Sequence, residues 1–493
     1  MEDLEQICLS NEITKIRNGY KTVTKAKGDD ARNLHIYSQN RRRRLSQSSE
    51  LAMELEGVDD LALHLIFAKL SPKDSAIAAC VSRQFRSSAS EDSLWEKFCN
   101  QDLNLTDAID HLGNPIPSFK ETYRIWHRAF RMYPWPLVKR VKGCWDRLKN
   151  WLSTNFPEAL VTLREGASEA DIQELENALK VKVPLPTRIL YRFHDGQELK
   201  GRYVDSIRGF PLGLMGGYTF YGQTVNVYLL PLRQVISETK SIIRDLGFSR
   251  RSKFIVVASS STLTEKVFFL NCASGQLFVG TANLREDGEM IPCVPGALIN
   301  SVHECNTEHQ QDAMLLWLEE HVRRLENGII KLRETKNIRS ISLFPEEPPL
   351  CSAAITNGVR VRASAVFIPE LTDLLDSGGN YQFAYSIRLS LQDEGCIING
   401  ITFNSCQLHL RHWIIRANDY MVSIVNGEAV IGEYPLLQPG EEFVYESCSS
   451  LYSSMGSLEG SFTFVPGSLT YPKGSPFEVQ VARFPLQVPT YIF

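Results

Sequence analysis

The sequence predicts a multidomain α+β protein, with a small all-helical module near the N-terminus, an α+β domain in the middle and an all-β sandwich at the C-terminus. Three observations carry this. Residues 58–99 hold apolar side chains in three short helical periods: Leu61, Leu63, Leu65, Ile66 and Leu70, then Ile77, Cys80 and Val81, then Leu94, Trp95 and Phe98. Residues 138–332 place amphipathic helices at both ends of a set of strand-like runs. Beyond residue 359 the apolar period drops to two, the signature of strands with one buried face.

Composition agrees with several cores. A chain of 493 residues exceeds one core and fits about three domains. Its 43% hydrophobic and 22% charged residues are ordinary for a soluble globular protein. A net charge of −4 gives no overall electrostatic case for nucleic acid or an anionic membrane. No apolar run approaches about 18 residues, and the opening residues are too polar and acidic for a secretory signal, so cytoplasm or nucleus is expected. The 11 cysteines include no CxxC pair and read as reduced core residues. His303, Cys305 and His309, with Cys293 upstream, are zinc-ligand types at a spacing that matches no standard site, so neither metal nor cofactor is expected.

Residues 1–52 are polar, include Arg41, Arg42, Arg43 and Arg44, and read as a disordered basic arm. The helical module occupies residues 53–102. Ser71 is a good N-cap and Pro72 fits the first helical position, so a second helix begins there. The serines at 87, 88 and 90 end it, and Asp92 or Ser93 caps the third helix. So few residues bury little core alone, and the apolar surplus calls for a second chain or a neighbouring domain.

With Leu63, Ile66, Phe67, Leu70, Pro72, Asp74, Val81, Ser82, Arg83, Leu94 and Trp95 at the right spacing, this stretch resembles an F-box. Two positions depart: Val58-Asp59 stands where Leu-Pro is usual, and Phe85 where a Trp is often found. The resemblance implies a face for a Skp-type adaptor, and through it a cullin, formed by Leu61, Leu63, Ile66, Leu70, Pro72, Val81, Leu94 and Trp95.

Residues 103–137 read as a helical connector in which Phe119, Tyr123, Trp126 and Phe130 share one face. The domain at 138–332 opens on a helix with Val141, Trp145, Leu148, Trp151 and Leu152. A second helix follows the capping box Ser168-Glu169-Ala170-Asp171, and Pro184 and Pro186 open a third. Strands are expected at 253–259, 266–270 and 276–279, with residues 272–275 as a hairpin turn. Gly166, Ile172, Leu175, Glu176, Leu179, Leu185, Pro186, Leu190, Tyr191 and Gly196 make the segment similar to the SUKH superfamily, which implies binding rather than a shared reaction. His194-Asp195 invites a catalytic reading, but no Ser or Cys nucleophile is placed by an elbow, and polar residues belong at a helix end.

Residues 333–356, with Pro345, Pro348, Pro349 and the acidic pair Glu346-Glu347, read as an extended linker. About seven short strands follow over 357–484, a sandwich count, and 485–493 form a tail. Tyr385, Ile387, Leu408, Arg411, His412, Trp413, the run Val430 to Glu433, Pro435, Leu437, Pro439, Gly440, Glu441, Phe443, Tyr445, Gly456 and Gly460 make this region resemble the ApaG domain, a sandwich of the fibronectin type III kind. Bacterial relatives carry a GxGxxG here that suits phosphate. This chain has Ala429 at the middle glycine and no helix following, so protein binding is the stronger expectation. Strict alternation puts Arg411 and Trp413 on an outward face as a partner anchor and turns His412 into the core, and Gly432 and Glu433 are further target or ligand candidates.

Together these features resemble the F-box proteins with a C-terminal ApaG domain, in the length and order of their plant Skp-interacting branch. The resemblance implies a non-catalytic substrate receptor of a Skp-cullin-F-box ubiquitin ligase, recruiting proteins for ubiquitination and proteasomal degradation. A non-ligase binding scaffold is the alternative. No nucleophile, metal or cofactor constellation supports an enzyme.

Overall fold

A computed structural model describes residues 59–198, 212–220, 222–246, 253–260, 266–284, 288–304, 309–335, 338–374 and 379–492. The basic arm expected over 1–52 lies outside them. The chain divides into two units, Met1–Asn100 with Ser118–Tyr123, and Gln101–Pro117 with Arg124–Phe493.

In the first unit the helices are α1 (Asp60–Phe67), α2 (Pro72–Ala78), α3 (Arg83–Ser88) and α4 (Asp92–Leu103), the last running on into the second unit. The second expected period is thus split in two. Ser82 Oγ accepts from the Phe85 amide and starts α3, just as Ser71 accepts from Asp74 and starts α2. Leu63, Phe67, Leu94, Trp95 and Phe98 are buried, each contributing roughly 1.5–3 kcal/mol as it leaves water. Phe67 meets Phe85 edge-on at 5.7 Å, and Trp95 packs on Phe98 at 5.5 Å and Tyr123 at 5.4 Å.

In the second unit, the later turns of α5 (Phe119–Phe130) carry Trp126 and Phe130 onto Phe193, at 6.0 and 5.0 Å. These two connector residues are therefore core. The long α6 (Trp135–Asn155) buries Val141, Trp145, Leu148 and Leu152, and the short α7 (Pro157–Leu160) follows it. The expected capping box is formed at α8 (Glu169–Leu179), with Ser168 and Asp171 bonded reciprocally, and α9 (Leu185–Phe193) opens on its prolines.

These helices, with α10 (Leu232–Leu246) and α11 (Ala313–Glu326), accompany an eight-stranded sheet. Its strands are β1 (Gly216–Phe220), β2 (Gln223–Leu229), β3 (Phe254–Ser260), β4 (Val267–Asn271), β5 (Leu277–Gly280), β6 (Met290–Pro292), β7 (Lys331–Thr335) and β8 (Ile338–Ser342), ordered β6-β5-β4-β3-β2-β1-β8-β7. Among the described residues of this sheet, only β1 and β8 pair parallel.

The region 333–356 is not an extended linker. It carries the end of β7, all of β8 and the strand β9 (Cys351–Thr356). Ile341 and Phe344 are buried in it, and Glu346 is held among arginines, so both apolar burial and charge pairing fold the stretch down.

The sandwich pairs a sheet β17-β11-β10-β9 with a sheet β15-β14-β18-β19, and β16 (Leu436–Leu437) adds to β14. Here β10 is Val359–Phe367, β11 Tyr381–Leu391, β14 Cys406–Ala417, β15 Tyr420–Glu428, β17 Glu442–Leu451, β18 Met455–Pro466 and β19 Phe477–Gln487. The small ribbon β12 (Cys396–Ile398) and β13 (Ile401–Phe403) stands apart. Because β9 precedes residue 357 and β19 continues to Gln487, the sandwich overruns both of its expected limits.

Candidate functional site

The helical unit sorts its eight candidate residues by burial. Leu63, Leu94 and Trp95 lie in the core, and the Trp95 indole donates to the Ala89 carbonyl at 2.7 Å. They support a surface rather than form it, because one short helix pair must sacrifice some apolar side chains to its own core. Leu61 (66%), Ile66 (46%) and Val81 (56%) are exposed, while Leu70 and Pro72 are half-buried. Leu65 and Ile77 are exposed as well, and sequence reading placed them only in the helical periods. The signal was there: α1 is apolar on more sides than one buried face requires.

Polar contacts fix this face. Lys97 Nζ donates to the Ala68 carbonyl at 2.7 Å, tying α4 to the end of α1. His64 Nδ1 lies 2.6 Å from Glu91 Oε2, and Gln84 Nε2 donates to Asp60 Oδ1 at 3.2 Å. Asp59, where proline is usual, occupies the N-cap of α1 without a side-chain cap bond. The unit thus presents apolar groups to solvent, the kind of patch that marks an interaction surface.

In the sandwich the expected facing of β14 is reversed beyond His409. Leu408 pairs with Phe464 and Leu410 with Thr463, so His409 is an extra residue in the ladder. One inserted residue swaps the faces: Cys406 and Leu408 point inward before it, Trp413 and Ala417 after it. Trp413 is only 3% exposed and packs edge-on against Phe462 at 5.4 Å and Tyr385 at 6.2 Å. It is a core residue, not a partner anchor. His412 is correspondingly not in the core; its Nδ1 meets Asn426 Oδ1 at 2.5 Å on the outer side.

Arg411 is half-buried, and its Nη1 donates to the Ala429 carbonyl at 2.6 Å with its guanidinium lying against Gly427. Its observed work is to hold the turn after β15. Within that turn the Ala429 amide donates to His409, Val430 to Glu433 and Glu433 back to Val430. Those amides are consumed internally, and the Ala429 methyl is buried, so they form no phosphate cradle. Gly432 and Glu433 are exposed in the same turn, with Gly432 at φ +79°.

The His194-Asp195 pair is structural. His194 Nδ1 bonds the Arg164 carbonyl at 2.8 Å, its ring packs on Trp145 at 4.7 Å, and burial holds its pKa down at about 4. Asp195 accepts from the Leu232 amide at 2.8 Å at the start of α10 and from Arg164 at 3.2 Å. His303 Nε2 bonds the Cys272 carbonyl, Cys293 is buried and Cys305 lies outside the described residues; among those described, no group of three or more His, Cys, Asp or Glu stands together as a metal site. Among them, too, no helix is long and apolar enough to cross a membrane.

Comparison with known families follows this division of the chain. Residues 62–101 match the F-box-like family and residues 374–466 the ApaG domain. F-box protein SKIP16 of Arabidopsis thaliana is 58% identical over 90% of this chain and 100% of its own length. The chain belongs to the F-box proteins with a C-terminal ApaG domain. F-box only protein 3 of Bos taurus is 26% identical over 82% of this chain and 77% of its own. Protein ApaG of Dechloromonas aromatica, 41% identical, covers 20% of this chain with 68% of its length. As a family member the chain is a multidomain α+β protein whose F-box-like part is a protein-interaction module.

Proposed function

We propose that the chain is a non-catalytic substrate receptor of a Skp-cullin-F-box ubiquitin ligase. The exposed apolar face of its F-box-like unit docks a Skp-type adaptor, and the domains downstream hold the protein to be modified. The observation that carries this is the set Leu61, Leu65, Ile66, Ile77 and Val81, all 46% exposed or more on a unit that matches the F-box-like family. A receptor of this kind accelerates transfer by raising effective concentration, so that attack on the carried ubiquitin becomes nearly intramolecular. Gly432 and Glu433, exposed beside β15, are candidate target contacts.

Co-purification with a Skp-type adaptor tests the reading. Ile66→Asp with Val81→Asp should abolish capture at an unchanged melting temperature, because both side chains are solvated in the free unit. Retained capture by that variant, or none by the native chain, sinks it.

A further inference from the structure

The edge strand β15 carries a surface that the receptor reading does not use. It pairs with β14 on one side, and its other side is a free edge of the sheet among the described residues. Both of its faces are open: Tyr420, Met421, Val422, Ile424 and Val425 are between 36% and 77% exposed. From Tyr420 to Gly427 the strand has no charge and no proline. The opposite edge of the same sheet, β19, carries Glu478, Arg483 and Pro485, the usual guards against edge-to-edge pairing. The neighbouring Leu410, Ile431, Tyr434 and Leu436 extend the apolar zone.

We infer that β15 pairs antiparallel with β15 of a second copy of this chain, making the receptor a two-fold dimer. Self-pairing suits this strand because a two-fold axis at its midpoint sets Ile424 opposite itself, Val422 opposite Asn426, Met421 opposite Gly427 and Tyr420 opposite Glu428. No like charges face each other, and the one carboxylate, Glu428, already accepts from Tyr434 Oη at 3.0 Å. A charged client segment would find no complementary partner along this edge, whereas the strand's own sequence is neutral and apolar. Nine residues at a rise of about 3.4 Å, with side chains covering about 10 Å on each face, bury roughly 600 Å² per partner. That is the lower end of the range for specific interfaces and implies a concentration-dependent dimer. The pairing would give one assembly two F-box-like units.

Sedimentation velocity on the full chain, from below one to tens of micromolar, should show a species of twice the 55.8 kDa monomer mass. Ile424→Lys should weaken association at least about tenfold, since the lysine meets its own copy at the axis. Ile424→Glu should do the same. An equimolar mixture of the two variants should associate again, a rescue that misfolding or a contact elsewhere cannot give. A monomeric native chain, a dimer indifferent to either variant, or a mixture that stays monomeric overturns the proposal. Each readout is a mass, so it stands apart from adaptor capture.

Discussion

Arg333 on β7 donates to Glu346 at 2.7 Å, and the Glu346 side chain is 1% exposed. Arg388 on β11 donates to the same carboxylate and Arg362 on β10 lies 3.6 Å from it, while Arg333 also donates to Ser386 and to Glu446 on β17. Within the second unit this network joins the last strands of the eight-stranded sheet to the sandwich. Burial alone would drive the Glu346 carboxyl upward, but Arg333, Arg388 and Arg362 outweigh it and hold it below the ordinary carboxylate range.

Glu346→Gln should therefore cost about 1.5–3 kcal/mol at neutral pH, because it removes the carboxylate that three arginines share while Arg333 keeps Glu446 and Arg362 and Arg388 keep Glu442. A depressed folded pKa stabilises above the unfolded value and is lost as pH falls through the folded one. The native chain should accordingly lose this contribution as the pH falls below the ordinary carboxylate range, and the variant should lack that acid limb. Urea unfolding at several pH values checks both.

Two histidines, His321 buried and His194 half-buried, set a second acid dependence. His194 and His321 are both held near pKa 4 by burial, His321 donating from Nε2 to the Leu214 carbonyl at 2.8 Å and stacked on Trp317 at 4.8 Å. The unfolded chain takes up these protons near pH 6.5 and the folded chain does not, so stability falls as pH drops from about 6.5 towards 4. At pH 5 each histidine should remove about 2 kcal/mol relative to pH 7.5, read as a shift in urea midpoint that His194→Asn with His321→Asn flattens.

The tryptophans Trp95 and Trp413 should behave as core residues. Replacing either by Ala should cost about 3–5 kcal/mol and lower the near-ultraviolet signal by that tryptophan's share. Arg411→Ala should leave the sandwich folded, and hydrogen exchange should speed up at Ala429 and Val430, whose turn it braces. Loss of binding by Trp413→Ala in an intact fold would contradict the burial described above.

Gly460 is predicted to tolerate no side chain. It has φ +157°, and an added Cβ would stand 1.9 Å from the His412 carbonyl oxygen and 3.1 Å from the Trp413 ring. Gly460→Ala should destabilise the sandwich by more than about 2 kcal/mol, measured by thermal unfolding, through separation of β14 from β18.

Much of this architecture was legible in local pattern. Ser71-Pro72 and the Ser168 capping box sit where they start helices, and the period-two runs around Val361 and Ile387 became β10 and β11. What failed did so for identifiable reasons. Glu346 looked like a solvated residue in a proline-rich linker because its three arginines are remote in sequence. Trp413 and His412 exchanged faces because an extra residue at His409 leaves no mark on the apolar alternation around it.

The sequence by itself determined the kinds of element, their order and the family, because helical period, strand period and capping are local properties of neighbouring residues. Tertiary structure alone decided which of the F-box apolar residues are core and which are surface, where the charge of Glu346 goes, and that β15 is an unguarded edge. Each of those depends on what lies across space from a residue, which chain neighbours do not encode.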